Sequence, residues 1–252
     1  MSYEAFSRFY DSLTDNVGYK KRAAYYDKII KENGINKGIL LDLGCGTGSL
    51  SVEMAEKGYE VIGVDSSIGM LMKAREKTAL SDKDILLLNQ SMTELDLYGT
   101  VDCAISVLDC INHLENKEDV QKAFNDASLF MNPNGIFAFD VNTVYKHKNI
   151  LGNNTFVYDN EDVYCVWQNY CESNKVDICL DFFYTDDGEN YSRDYESFSE
   201  TAYPIEEIKE MLKKSGFEVL HIYEDMTKNE IKDENYIDEN KIEKVVFVAR
   251  KK

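Results

Sequence analysis

Proline is nearly missing from this 252-residue chain, with Pro133 and Pro204 its whole supply. No motif built on paired prolines or on Pro-Cys can exist here. Histidine is almost as scarce, at three residues, and no two stand at ligand spacing. None of the six cysteines (Cys45, Cys103, Cys110, Cys165, Cys171 and Cys179) forms a CxxC pair. No metal site is expected, and the thiols read as free in a reducing compartment. No apolar run approaches about 18 residues, so no spanning helix is expected. The opening stretch "MSYEAFSRFYDSLTDN" has no apolar core like a signal peptide's. A soluble, cytoplasmic protein is the expectation. Positive charge is in deficit, with 28 basic against 46 acidic residues and a net −18. A field of that sign repels phosphate backbones and anionic lipid, so neither nucleic acid nor a membrane is an expected partner.

What the chain does have is alternation. Residues 3–33 read as helical, with Gly34 a natural stop. Short apolar runs and amphipathic stretches then take turns. "GILLDLG", "YEVIGVD", "DILLLNQ", "VDCAISVLD" and "IFAFDV" read as strands. "SLSVEMAEKG" and "SSIGMLMKAREKT" read as helices, the second capped by Ser66 or Ser67. Val120, Ala123, Phe124, Ala127 and Met131 form one helical stripe over 117–131, ended by Pro133, Asn134 and Gly135. Apolar strands spaced by helices imply an α/β fold, a doubly wound, mostly parallel sheet covered on both faces.

From 153 to 203 the helical period disappears. "VYCVWQNYCE", "KVDICLDFFYT" and "YSRDYESFSETAY" read as strands, with a hairpin turn on Asp187-Gly188. The α/β pattern resumes at Pro204 with a helix, "FEVLHIY" and the last strand "KVVFVARK"; "MTKNEIKDENYIDENK" reads as a polar loop. The expected organisation is one domain over 1–152 and 204–252, with 1–36 a helical cap and 153–203 an antiparallel β insert.

The informative stretch is "LLDLGCGTGSLS" at 40–51. A strand feeding a glycine turn feeding a helix opens a nucleotide-binding βαβ unit. The dinucleotide pattern G-x-G-x-x-G fails, because Ser49 stands at its third glycine. The P-loop fails for want of a lysine after the last glycine. Asp42 opens the loop instead. A carboxylate within about 4–6 Å opposes a pyrophosphate by roughly 1–4 kcal/mol and favours a cation by the same sign rule. S-adenosylmethionine carries an ammonium and a sulfonium and no phosphate, so it suits this loop. Asp65 ends the second strand, 21 positions after Gly44, where an acid can accept both ribose hydroxyls.

"LLDLGCGTGSL" followed by "VIGVDSSIGMLMKA" resembles the first two motifs of the class I S-adenosylmethionine-dependent methyltransferases. The likeness continues in order through "NQSMTEL", "VDCAISVLDCINHL", "LFMNPNGIFAFDV" and "LKKSGFEVL". It implies a seven-stranded sheet of order 3-2-1-4-5-7-6 with the seventh strand antiparallel. It also implies roles at matching positions. Asp42, Gly44, Cys45 and Gly46 would hold the methionine part, Asp65 the ribose, and Ser66 and Met70 one side of the adenine. Ser91 and Met92 would cover the other side. Many members have an acid where Ser91 stands, so Ser91 or Gln90 would accept from the adenine amine. Leu108 and Asp109 would back the sulfonium. Tyr10 and Tyr19 match aromatics that close over the cofactor, core packing being their alternative.

For the methyl acceptor, ligands in an open α/β sheet sit beyond the strands' carboxyl ends. His113 follows the fourth strand and is the candidate base, its alternative being a helix-start histidine. Asn112, Asp140, Asn142 and His147 lie at the same rim as candidate substrate contacts, and His221 reads as structural. With two prolines, the Asn/Asp-Pro-Pro-aromatic turn of enzymes that methylate exocyclic base amines or protein glutamine is impossible, as is the Pro-Cys of cytosine-C5 enzymes. The 153–203 segment holds twelve acids and two bases, and seven of the 17 tyrosines; five more tyrosines precede residue 27. This points to an aromatic, acidic lid favouring a neutral or cationic small molecule such as an amine. A solvated sheet, or a dimer surface on a chain otherwise monomeric, is the alternative. The function expected is methyl transfer to a nitrogen or oxygen of a small molecule. An S-adenosylmethionine-binding protein without transfer, or a protein methyltransferase that docks through the insert, remains open.

Overall fold

The computed structural model describes residues 4–252; residue 3, the first of the expected helical stretch, lies outside them. Gly18 splits that stretch. It stands at φ 66°, ψ 53°, a left-handed geometry that glycine takes without steric cost. Two helices result, α1 (Glu4–Leu13) and α2 (Tyr19–Glu32), within the stretch over 3–33 that reads as helical. The chain continues through β1 (Ile39–Leu43), α3 (Ser49–Glu56), β2 (Glu60–Asp65), α4 (Ile68–Ala79), β3 (Ile85–Asn89), β4 (Val101–Ser106), α5 (Lys117–Leu129) and β5 (Met131–Asn142). Strand β5 starts earlier than "IFAFDV". Met131 already pairs with Val101, and the chain bulges before pairing resumes between Cys103 and Ile136.

A π-helical turn over Lys146–Leu151 leads into β6 (Thr155–Asp159), β7 (Tyr164–Glu172), β8 (Lys175–Tyr184) and β9 (Ser192–Thr201). Then come α6 (Ile205–Lys214), β10 (Phe217–Glu224), α7 (Glu234–Asn240) and β11 (Lys244–Lys251). Helix α7 falls where a polar loop was expected. Asp233 caps it by accepting from the Tyr236 N–H at 2.8 Å, and Ile231, Ile237 and Ile242 bury themselves in the core. Three scattered isoleucines anchor the segment without making a periodic pattern.

The main sheet has seven strands in the order β3-β2-β1-β4-β5-β11-β10. Strands β1 to β5 pair in parallel, and β11 runs antiparallel to both β5 and β10. Counting only its own strands, the order is the expected 3-2-1-4-5-7-6. Tyr26, Ile29 and Ile30 of α2 and Met54 of α3 pack one face against Leu40, Ile105, Ala138 and Val246. Phe124 of α5 and Ile208 and Leu212 of α6 pack the other against Phe137, Phe139 and Phe247. Each Ile, Leu, Val, Met or Phe among them contributes about 1.5–3 kcal/mol on burial.

The second sheet is antiparallel, in the order β6-β7-β8-β9. Strand β6 escaped the sequence reading because it is five residues long with three of them exposed. Val176, Ile178, Leu180 and Phe182 of β8 form the inner face of this sheet, and Phe9 of α1 completes that core. The N-terminal helix thus belongs to the insert's packing as much as to the main sheet's.

Candidate active site

The site grows from the carboxyl ends of β1, β2 and β4, where the strand order reverses. Gly44, Gly46 and Gly48 all adopt left-handed backbone, at φ 76°, 53° and 75°. At Gly44 a Cβ would also meet the Cys110 Sγ at 2.6 Å. Four of the loop's N–H groups are spent within the protein, three of them on the end of β2. Gly44 and Cys45 donate to the Val64 carbonyl at 2.8 and 3.0 Å, and Gly48 donates to Cys45. Gly46 donates to Asp65 Oδ2 at 2.9 Å. Such a loop suits a cationic head better than a pyrophosphate, which needs N–H donors.

Asp65 ends β2. Besides Gly46, its carboxylate accepts from the Ser67 N–H at 2.8 Å, and Ser67 caps α4 by accepting from Met70. Burial pushes the Asp65 carboxyl up, against the pull of those two donors. Asp65 lines a cavity of about 400 Å3, a size in the range of small-ligand sites. Tyr10, Gly44, Gly46, Asp65, Ser66, Met70, Gln90, Ser91, Met92, Leu108 and His113 line it. A smaller hollow of about 30 Å3 shares Tyr10, Gly44, Gly46 and Leu108 and adds Tyr19, Asp42 and Cys45. The structure therefore gathers every expected cofactor residue except Asp109 around two adjoining spaces. Phe6, Val64, Cys110 and Leu114 complete the larger one. Phe6 and Tyr10 meet edge to face at 5.1 Å, and their i, i+4 spacing was the sequence signal for Phe6.

Asp42 is buried, and its carboxylate accepts from the Ser51 hydroxyl at 2.5 Å. Burial raises its pKa to about 7, with Ser51 pulling down and Asp65 pushing further up. The native state therefore keeps a proton that the unfolded chain releases from about pH 4, so stability falls as pH rises from there to about 7. Above that range the loss is on the order of 4 kcal/mol. Asp42→Asn keeps the shape and the Ser51 contact. It should match the native protein near pH 4 and exceed its stability at pH 8, as urea unfolding across that range would show; parallel curves would refute the buried acid.

Several expected roles need correction. Asp109 lines neither space. Its carboxylate turns to Lys244 at 2.6 Å and to Asn142 Nδ2 at 3.0 Å. Burial pushes that carboxyl up, but the Lys244 and Lys146 ammonium groups together outweigh it and hold it well below the usual range. Gln90 closes its own turn, donating to the Asp96 carbonyl and accepting from the Asp96 N–H. Ser91 pairs with Thr93 at 2.8 Å. Neither side chain is freely turned toward an adenine amine.

The four residues proposed for the acceptor lie under the floor. Asp140, Asn112, Asn142 and His147 are each at most 1% exposed. Asp140 accepts from the N–H groups of Leu108 and Asp109 at 3.0 and 2.7 Å and from the Tyr26 hydroxyl. Arg22 and Lys244 flank it at 3.6 and 3.5 Å. Asn112 donates to the carbonyls of Asn142 and Thr201. Asn142 donates to Asp109 and Glu200. His147 places Nδ1 on the Asn174 carbonyl at 3.0 Å. The strand ends were placed at the right rim, but the insert packs over them. Of the histidines, His113 alone lines the cavity. Its ring packs on Phe198 at 5.1 Å, and its Nε2 lies 3.9 Å from Glu200 Oε1. His221 pairs with Glu230 on the surface. Glu200 was missed, although strand alternation places it on the same face as Phe198.

Helix α1 ties the two halves across this opening. Its Asp11 accepts from Lys77 and Thr47 beside the glycine loop. Arg8 reaches Asp186, and the Phe6 N–H donates to Glu196 at 2.8 Å, both in or beside the insert. Among the described residues, no group of three or more His, Cys, Asp or Glu is placed to hold a metal. No described helix is long and apolar enough to cross a membrane.

Residues 40–135 match a family model described as a methyltransferase domain. YqeM of Bacillus subtilis (strain 168), provisionally named a methyltransferase, is 34% identical over 232 residues, covering 91% of this chain and 92% of its own. An S-adenosylmethionine-dependent methyltransferase from Clostridium acetobutylicum ATCC 824 superposes with a TM-score of 0.86 at 29% identity, covering 99% of this chain and 98% of its own. The sugar N-methyltransferase KedS8 from Streptoalloteichus sp ATCC 53650 shares the fold, with a TM-score of 0.78 at 16% identity and coverage of 100% and 93%.

Proposed function

Since this chain belongs to the class I S-adenosylmethionine-dependent methyltransferases, we propose that it methylates the nitrogen of a small amine held between His113 and the acidic insert. Bound S-adenosylmethionine supplies a methyl group on a sulfonium, which a lone pair can displace in line. Asp65 takes the ribose hydroxyls, and Met70 and Met92 with Ser66 and Ser91 enclose the adenine. The Gly44–Gly46 carbonyls and Asp42 receive the ammonium end in the smaller hollow. Tyr10 and Tyr19 cover it, and Leu108 and Cys110 border the methyl group. The chain gains rate chiefly by alignment, since the displacement needs proximity more than acid or base.

The observation that carries the amine reading is the placement of acids behind the cavity wall. Glu196 accepts from the backbone of Phe6, which lines the cavity, and Glu200 stands behind His113. Both come from the 153–203 segment, whose net charge is −10 by its twelve acids and two bases. We read that segment as a lid on the domain formed by 1–152 and 204–252. An acidic wall attracts an ammonium, and His113 can relieve it of the proton before attack. The N-transfer named for KedS8 agrees with this reading, and its likeness to this chain is one of fold.

The test is a screen for labelled methyl transfer from S-adenosylmethionine to small amines, matched alcohols and proteins. Amines should be labelled. Glu196→Gln should raise the KM for the amine roughly tenfold, about 1.4 kcal/mol, with cofactor affinity unchanged. Transfer confined to alcohols or to proteins would refute the reading.

A further inference from the structure

We infer that Glu200 is a positioning residue that fixes the proton on Nε2 of His113, and that buried His147 holds Glu200 in place. The inference rests on the methyl-transfer reading above and adds to it how the base is made ready. Glu200 sits on β9, 3% exposed, between the two histidines. Its Oε1 lies 3.9 Å from His113 Nε2 and its Oε2 lies 3.5 Å from His147 Nε2. One hydrogen bond to that carboxylate comes from Asn142 Nδ2, at 3.2 Å. A buried carboxylate with so little donation is costly unless charge or protons come from its neighbours.

His147 shows where one proton lies. A carbonyl can only accept, so the contact to Asn174 requires a hydrogen on His147 Nδ1. Its Nε2 then has no hydrogen-bond partner and is fully buried. A lone pair there would face the lone pairs of Glu200. One proton shared between His147 Nε2 and Glu200 Oε2 satisfies both atoms. His113 faces the same carboxylate from the other side. With Nε2 turned to Glu200 Oε1, the favoured form carries its hydrogen on Nε2 and leaves the lone pair on Nδ1. Phe198, on the same strand as Glu200, packs against the ring of His113. Strand β9 therefore sets both the plane of the imidazole and the nitrogen that is protonated. A separation of 3.9 Å is longer than a hydrogen bond, and such contacts commonly shorten when ligands bind.

The step balances. The acceptor's nitrogen lone pair forms the N–CH3 bond while the C–S bond breaks, its electrons going to sulfur and leaving a neutral thioether. Before attack the acceptor ammonium gives one proton to His113 Nδ1, which frees that lone pair, and the methylated nitrogen leaves as an ammonium. The imidazolium so formed lies between the acceptor and Glu200.

Three histidines in the whole chain make nitrogen NMR with 15N-labelled histidine, recorded near pH 8, directly readable. The probe is S-adenosylhomocysteine, with the ligand-free protein measured alongside. The native protein should show His113 protonated on Nε2 alone and a slowly exchanging His147 Nδ1–H. Glu200→Gln and Glu200→Ala should make the His113 N–H exchange at least tenfold faster and end its preference for one tautomer. The His147 Nδ1–H should persist, since Asn174 holds it. A purely structural Glu200 would lower thermal stability and leave the His113 tautomer alone. Native His113 protonated on Nδ1, or an unchanged tautomer and exchange rate in both variants, overturns the inference. Failure of S-adenosylhomocysteine to bind would count against the methyl-transfer reading instead, because the histidine signals are also read without ligand.

Discussion

Replacing Asp65 with alanine should weaken S-adenosylmethionine binding by about 1.5–3 kcal/mol, roughly 10- to 150-fold, the range for hydrogen bonds to a charged partner. Two losses add. The carboxylate that would accept from the ribose disappears, and the Gly46 and Ser67 N–H groups lose their acceptor. Gly46 belongs to the loop that would hold the ammonium end, so the loop's shape is lost with the ribose contact. Asp65→Asn should fall between, because one end of the amide turns an N–H toward a backbone N–H. The maximal rate at saturating cofactor should change little if Asp65 only binds. Titration calorimetry of each variant reads the affinity, and a loss under threefold for Asp65→Ala would contradict the assignment.

The second large effect concerns Asp140, which never touches the cavity. Leu108 and Asp109 stand at φ 66° and 58°, conformations that cost non-glycine residues about 1–3 kcal/mol each. The Asp140 carboxylate holds both by their N–H groups, at 3.0 and 2.7 Å. It also lies between Arg22 and Lys244 in a buried network that extends to Asp225 and Asp109. Removing one member leaves two cations under-compensated and two strained N–H groups unpaired. Asp140→Ala should therefore cost about 3–5 kcal/mol of stability, the range for breaking a buried ion pair. Asp140→Asn should cost less, since an amide oxygen still accepts from one of the two N–H groups. Because Leu108 lines the cavity, both variants should also bind S-adenosylmethionine less well when still folded. Urea unfolding with a loss below about 1 kcal/mol for Asp140→Ala would show that the network does not hold this turn.

These two aspartates show what the sequence revealed and what it concealed. Asp65 was legible because its role is local: a strand end, a fixed distance from a glycine loop, and a helix cap behind it. The same holds for the main sheet, whose apolar runs and helical stripes are set by neighbours close in the chain. Asp140, Asn142, Asn112 and His147 share the strand-end signature and do something else. Their surroundings come from far along the chain, Asn112 meeting the carbonyl of Thr201 and His147 facing Glu200. Periodicity marks which residues reach a rim but not which later segment will cover it. Helix α7 was hidden for a related reason, as its stability lies in three isoleucines packed on distant strands. Asp109 shows the limit most plainly. It stands where a ligand contact was expected, yet Lys244, from the final strand, takes its charge.

The central claim is that S-adenosylmethionine sits on the Gly44–Gly46 loop and Asp65, its cationic end toward Asp42. Calorimetric titration of S-adenosylmethionine, S-adenosylhomocysteine and NAD into the native protein and Asp65→Ala tests it most directly. The account expects both S-adenosyl compounds to bind the native protein, more weakly in Asp65→Ala. It also expects a proton to leave on binding near pH 6, as the ligand's positive charge favours ionised Asp42, whose free-state pKa is about 7. Binding of NAD alone, or S-adenosylmethionine affinity unchanged in Asp65→Ala, would contradict it.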